Sequence, residues 1–140
     1  MPLWDGSKPL HGKSVVIHAE QGLGDTLQFA QLVPRLKALG ARVILEVQKP
    51  LLGLFEDFDA AEQIVDQDAE RSGADFHCPL MSVPRGLALR LSDLPVATHY
   101  LRTPELHRHR WSQRLDRQIV RGSVWCGVVT PSTPTIRRGA

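Results

Sequence analysis

The run His18-Ala-Glu-Gln-Gly-Leu-Gly-Asp-Thr26 gathers two glycines, two carboxylates, an amide and an imidazole in one short stretch. Asp25 is the kind of group that takes the proton of an attacking hydroxyl as a general base. It is equally the kind that caps a helix, a role worth about 0.5–2 kcal/mol. Gly22 and Gly24 allow a tight turn and a close approach of backbone to ligand. Gln21 carries an amide able to orient a sugar hydroxyl. Glu20 reads as a solvated loop acid, and His18 as a packing or hydrogen-bonding residue at a strand end. His77, in Asp75-Phe-His-Cys-Pro79, is a second imidazole able to line the same cleft, with a purely structural role as the alternative.

Two phosphate-binding patterns fail here. The dinucleotide fingerprint needs a third glycine where this chain has Leu27, and Asp25 would compete with a phosphate for the helix N–H groups. The P-loop pattern fails because no Gly-Lys-Ser/Thr follows.

These residues need elements to hold them. Ser14-Val-Val-Ile-His18 is a consecutive apolar run, as expected for a strand buried on both faces of a parallel sheet. A helical pattern follows from Asp25 and Thr26, with Phe29, Val33, Leu36 and Leu39 at helical spacing. Pro34 should kink it or start a second segment, and Gly40 should stop it. Arg42-Val-Ile-Leu-Glu-Val47 is a second strand, which completes a βαβ unit. Residues 50–58 predict a short helix, and residues 63–65 and 75–78 two further strands. Residues 80–97 predict short helical pieces and loop, residues 98–101 a fifth strand, and residues 104–118 a polar helix. The alternation gives an α/β class, a Rossmann-like, mostly parallel sheet flanked by helices. Ligands of such sheets bind beyond the C-terminal strand ends, which points to the loop after Ile17, the residues after Val47, and His77.

The flanks are less regular. Residues 1–12 read as an arm or linker, residues 13–118 as the domain, and residues 119–140 as an orphan strand (119–129) with a disordered tail. Composition excludes several classes. With 42% apolar and 23% charged residues, the 140-residue chain has the profile of an ordinary globular domain. A net charge of +2 does not suit a nucleic-acid binder, and the basic stretch from Arg102 to Arg121 reads as a solvated helix face. No apolar run reaches the roughly 18 residues of a membrane span, and no signal peptide opens the chain. Cys78 and Cys126 form no metal-binding pair. A cytoplasmic protein is expected.

Ala19-Glu-Gln-Gly-Leu-Gly-Asp-Thr-Leu-Gln-Phe29 resembles the first motif of glycosyltransferase-like domains that follow tetratricopeptide repeats in many bacterial proteins. Those domains are distant relatives of the ADP-heptose:lipopolysaccharide heptosyltransferases. Leu3-Trp-Asp-Gly6, residues 40–48, residues 75–80, Tyr100-Leu101 and Val124-Trp-Cys-Gly127 extend the resemblance in order. It implies the acceptor-side half of a GT-B transferase, which moves a sugar from a nucleotide-sugar donor to a hydroxyl acceptor. It also implies Asp25 as base, Gln21, Gly22, Gly24 and His77 as acceptor-side residues, and neither metal nor cofactor. The repeats before the domain and the donor domain after it are not in this sequence, and residues 128–140 do not resemble the family's continuation. A truncated or frameshifted gene, inactive alone, is the expectation. Two other classes stand beside it. One is a non-catalytic interaction module associating through residues 123–129, and the other is a nucleotide-binding Rossmann protein.

Overall fold

The computed structural model describes residues 1–69, 73–94, 99–103 and 105–116. The expected strand and tail over residues 119–140 lie outside them. The chain divides into two compact units, Met1–Glu105 and Leu106–Ala140.

The first unit is an α/β fold built on a four-stranded, all-parallel sheet. Its strands are β1 (Ser14–His18), β2 (Arg42–Val47), β3 (Gln63–Asp66) and β4 (Phe76–Pro79). Helices α1 (Leu23–Ala30) and α2 (Val33–Ala38) connect β1 to β2. A 3-10 turn (Lys49–Leu51) and α3 (Leu52–Phe55) follow β2. A second 3-10 turn (Leu80–Ser82) and α4 (Val83–Gly86) follow β4, and α1 packs against that turn. The spatial order is β3-β2-β1-β4. The chain winds outward from β1 through β2 to β3 and then returns to the other side of β1. In Rossmann-like sheets ligands bind beside such a reversal, beyond the C-terminal strand ends, here those of β1 and β4.

The period-2 geometry of the strands sorts their residues onto two faces. Val15, Ile17, Val43, Leu45, Val47, Phe76 and Cys78 point into one contiguous apolar core, shared with Ala30, Val33, Leu36, Phe55, Leu80 and Val83. The opposite face is more polar. Val16 and Glu46 are buried there, while His18, Ile44 and His77 are half-buried. Pro34 stands in the first turn of α2, where its missing N–H has no helical partner to lose. The two-segment reading of that helix therefore holds. Gly40, at φ +82°, ends α2 in the left-handed conformation that suits glycine.

Three expectations need correction. First, residues 1–12 are part of the body rather than an arm. Trp4 and Leu10 are buried in the core, and Leu3 makes a parallel bridge to His77 at the edge of β4. Trp4 N–H donates to the His77 carbonyl at 2.8 Å, and His77 N–H donates to the Pro2 carbonyl at 3.0 Å. The segment passes so close to α4 that a Cβ on Gly86 would lie 2.5–3.0 Å from the Trp4 ring. Second, residues 99–101 form no strand. Tyr100 is held by its side chain instead: its hydroxyl donates to the Leu27 carbonyl, and its ring meets Phe58 edge-on at 6.0 Å. Burial pushes the Tyr100 hydroxyl up to about 12. Third, the first helix begins at Leu23, two residues before the expected start.

Helix α5 (Glu105–Asp116) confirms the polar helix expected there. Its described side chains are exposed, and the Arg114 guanidinium lies 5.3 Å from the Trp111 ring centre. Among the described residues, no helix is long and apolar enough to cross a membrane.

Candidate functional site

The C-terminal end of β1 brings together most of the residues singled out by sequence. The backbone leaves β1 at His18, and Gly22 becomes the N-cap of α1 in an extended conformation (φ −67°, ψ 167°). Asp25 then falls at the third helical position. Its carboxylate reaches back and accepts the Gly22 N–H at 3.1 Å. This is the acidic half of a capping box, and it satisfies a donor that the helix itself leaves unpaired. The capping reading of Asp25 is therefore realised. Among the described residues its other carboxylate oxygen carries no hydrogen bond, and the side chain is half-buried.

The glycines do something other than relieve strain. Neither Gly22 nor Gly24 has a positive φ, and a Cβ built on Gly24 would meet nothing within 4 Å. A residue such as alanine would fit at Gly24 and would favour the helix by about 1 kcal/mol. The fold thus gives no reason for glycine there. The space above the helix start at Gly24 is open, and neither glycine is needed for a left-handed turn.

Sequence reasoning missed the clamp on this loop. Thr26 is buried, and its hydroxyl donates to Gln48 Oε1 at 2.9 Å. Gln48 Nε2 donates in turn to the Gln21 carbonyl at 2.8 Å. Gln48 follows directly on β2, so it ties the loop after β1 to the loop after β2. The available signal was positional: Gln48 is the first residue beyond a strand at the ligand edge. Gln21 contributes its backbone carbonyl to the clamp, and its residue is exposed. Glu20 is exposed too.

His77 lies inside β4 and not at the strand end where the ligand edge is expected. It is the second residue of β4, level with Val16, and shares a sheet face with His18. The rings of His18 and His77 stack at 5.5 Å, and His77 Nδ1 lies 3.3 Å from His18 Nε2, so one imidazole donates to the other. Glu46, buried on β2, is level with His18 across the next strand pair. Cys78 points to the opposite face. It is a buried free thiol, pushed up to about 11 by burial and by the negative charge of Glu20, which makes it a poor nucleophile.

Other features lie elsewhere. An open groove of about 670 Å³ runs between α3 and the start of β3, beside Glu56, Asp57, Asp59 and Glu62. It contains none of the residues expected from sequence to bind or react. Among the described residues, no group of three or more His, Cys, Asp or Glu side chains is arranged to hold a metal ion. No known protein family, curated protein or solved structure matches this chain.

Proposed function

We propose that this chain carries the acceptor-side domain of a GT-B glycosyltransferase, working with a second Rossmann-like domain that holds a nucleotide-sugar donor. The observation that supports this most is a coincidence of place. The open glycine loop and the Asp25 carboxylate stand just beyond the end of β1, where the winding of the sheet reverses, and His18, at that end, contacts His77 on β4. In parallel α/β sheets that is where ligands bind. The resemblance of residues 19–29 to the transferase motif names the chemistry.

In this reading the acceptor hydroxyl approaches over Gly22 and Gly24. As its oxygen attacks the anomeric carbon, the bond from that carbon to the donor's diphosphate breaks. The acceptor proton passes to the outer oxygen of Asp25, and the nucleoside diphosphate leaves from the donor domain. Asp25 remains a helix cap through its other oxygen, so one residue both holds the loop and accepts the proton. Gln21 and His77 contribute polar contacts to the acceptor.

The test is turnover of ADP- and UDP-sugars. The 140 residues alone should give none, and a donor-binding half supplied in trans should restore transfer in a manner abolished by Asp25→Asn. Turnover by the 140-residue chain alone would overturn the half-site reading. Transfer by the reconstituted pair that ignores Asp25→Asn would remove Asp25 as the base.

A further inference from the structure

We infer that Gln48 is a positioning residue for Asp25: it holds the Gln21–Gly22 peptide in the orientation that aims the Gly22 N–H at the Asp25 carboxylate. The use made of that carboxylate rests on the transferase reading, but the coupling does not.

Two hydrogen bonds share one peptide group. Gln48 Nε2 donates to the Gln21 carbonyl at 2.8 Å, and the Gly22 N–H donates to Asp25 Oδ2 at 3.1 Å. That carbonyl and that N–H belong to the same planar unit, and in its trans form they point in opposite directions. Fixing the oxygen therefore fixes the N–H. A bond accepted at the oxygen also polarises the peptide and strengthens the bond donated at the nitrogen.

Gln48 is itself held. It is the N-cap of the 3-10 turn after β2, and its backbone carbonyl accepts the Leu51 N–H at 2.8 Å. Its side-chain amide has one productive orientation. The Gln21 carbonyl needs a donor, so Nε2 faces it, and Oε1 is left to accept from the hydroxyl of the buried Thr26 at 2.9 Å.

The loop needs this hold because of Gly22. Its φ is −67°, but glycine takes positive φ about as readily. Turning the Gln21–Gly22 peptide over points its N–H away from Asp25 at little cost in backbone strain. Gln48 opposes that turn, and so keeps Asp25 in its capped position. An alanine at residue 22 would oppose it by another route. Its Cβ would lie 3.5 Å from Asp25 Oδ2, an ordinary contact in the observed form, while the turned-over form would strain it.

The test is the Gly22 amide signal in ¹H–¹⁵N spectra of the 140-residue chain, followed as pH falls through the carboxylate range. An amide bonded to a carboxylate shifts as that carboxylate takes its proton. Gly22 should show this response, and Asp25→Asn should abolish it. In Gln48→Met, which removes both amide bonds without adding a charge, most of the response should be lost. Gly22→Ala combined with Gln48→Met should restore it at residue 22. A clamp that only joined two loops would not be rescued by that methyl. Should Gln48→Met fail to fold, Thr26→Val, which frees the Gln48 amide from its other side, takes its place. A response unchanged by Gln48→Met, or lost and not restored by Gly22→Ala, would overturn the coupling. In the reconstituted transferase, Gln48→Met should lower kcat about tenfold or more and leave the donor KM unchanged. An unchanged kcat would overturn the positioning role and leave the transferase reading standing. Absence of turnover beside an intact Gly22 response would remove the transferase reading and support the coupling.

Discussion

A Cβ added to Gly86 would sit 2.5–3.0 Å from the buried Trp4 ring, whereas one added to Gly24 would meet nothing within 4 Å. The two aspartates that flank β1 in space differ in the same sense. At the start of the strand, Asp75 accepts from Ser14 N–H at 2.9 Å, from the Ser14 hydroxyl at 2.8 Å and from Lys13 Nζ at 3.1 Å. At its end, Asp25 accepts, among the described residues, only the Gly22 N–H at 3.1 Å. One region of the domain is closed, with its glycine imposed by packing and its carboxylate saturated. The other is open, with a glycine the packing does not demand and a carboxylate oxygen left over. Polar groups at the first serve the fold. At the second, Asp25 caps α1 but among the described residues keeps one carboxylate oxygen free of hydrogen bonds, and this is the physical ground for proposing a ligand there.

Four substitutions test that contrast, from the largest effect to the smallest. Gly86→Ala forces the Trp4 ring or the α4 backbone to move, and should cost about 1–3 kcal/mol by chemical denaturation. A cost near zero would mean that the N-terminal segment is not packed as described.

Asp75→Asn should lower the melting temperature at neutral pH. The Ser14 hydrogen bonds and Lys13 hold the Asp75 carboxyl down at about 2, below its ordinary 3.8. A depressed carboxylate stabilises the fold above its unfolded value, and the contribution fades as pH falls through its folded value. The gap between wild type and variant should therefore be full above pH 3.8 and shrink towards about 2. A gap independent of pH across that window would contradict this.

Asp25→Asn removes the carboxylate from the first turn of α1 and should cost about 0.5–1 kcal/mol, which denaturant titration can resolve. Its effect on transfer should be far greater than its effect on folding. Gly24→Ala should leave stability unchanged or raise it by up to about 1 kcal/mol. It should nevertheless weaken acceptor binding, since the added methyl enters the open space. Lost stability without lost binding would place Gly24 among the structural glycines with Gly86.

Much of the sheet was legible. Ser14–His18 and Arg42–Val47 were readable to the residue because consecutive β-branched residues bounded by polar ones leave little choice of period. Gly40 and Pro34 spoke through backbone chemistry that acts locally. What escaped depended on distant partners. Trp4 and Leu10 sit among prolines and glycines, so local signals say loop, and only the fold reveals that they are buried. Tyr100 lies in a strand-like run, but its hydroxyl and ring find partners on Leu27 and Phe58 instead of a neighbouring strand. At the site, the motif named Asp25 and its glycines. The Thr26–Gln48 clamp and the His18–His77 contact join residues 22 and 59 positions apart, and no local pattern encodes either.

The most direct measurement is a residue-by-residue map of amide shifts while the 140-residue chain is titrated with methyl glycosides, with NAD as the contrasting ligand. Shifts concentrated at Gln21, Gly22, Gly24, Asp25, Gln48 and His77 with a glycoside, and none at Lys13, Ser14 and Asp75, are the predicted result. Shifts with NAD alone, or glycoside shifts confined to the acidic groove between α3 and β3, would contradict an acceptor site at the end of β1.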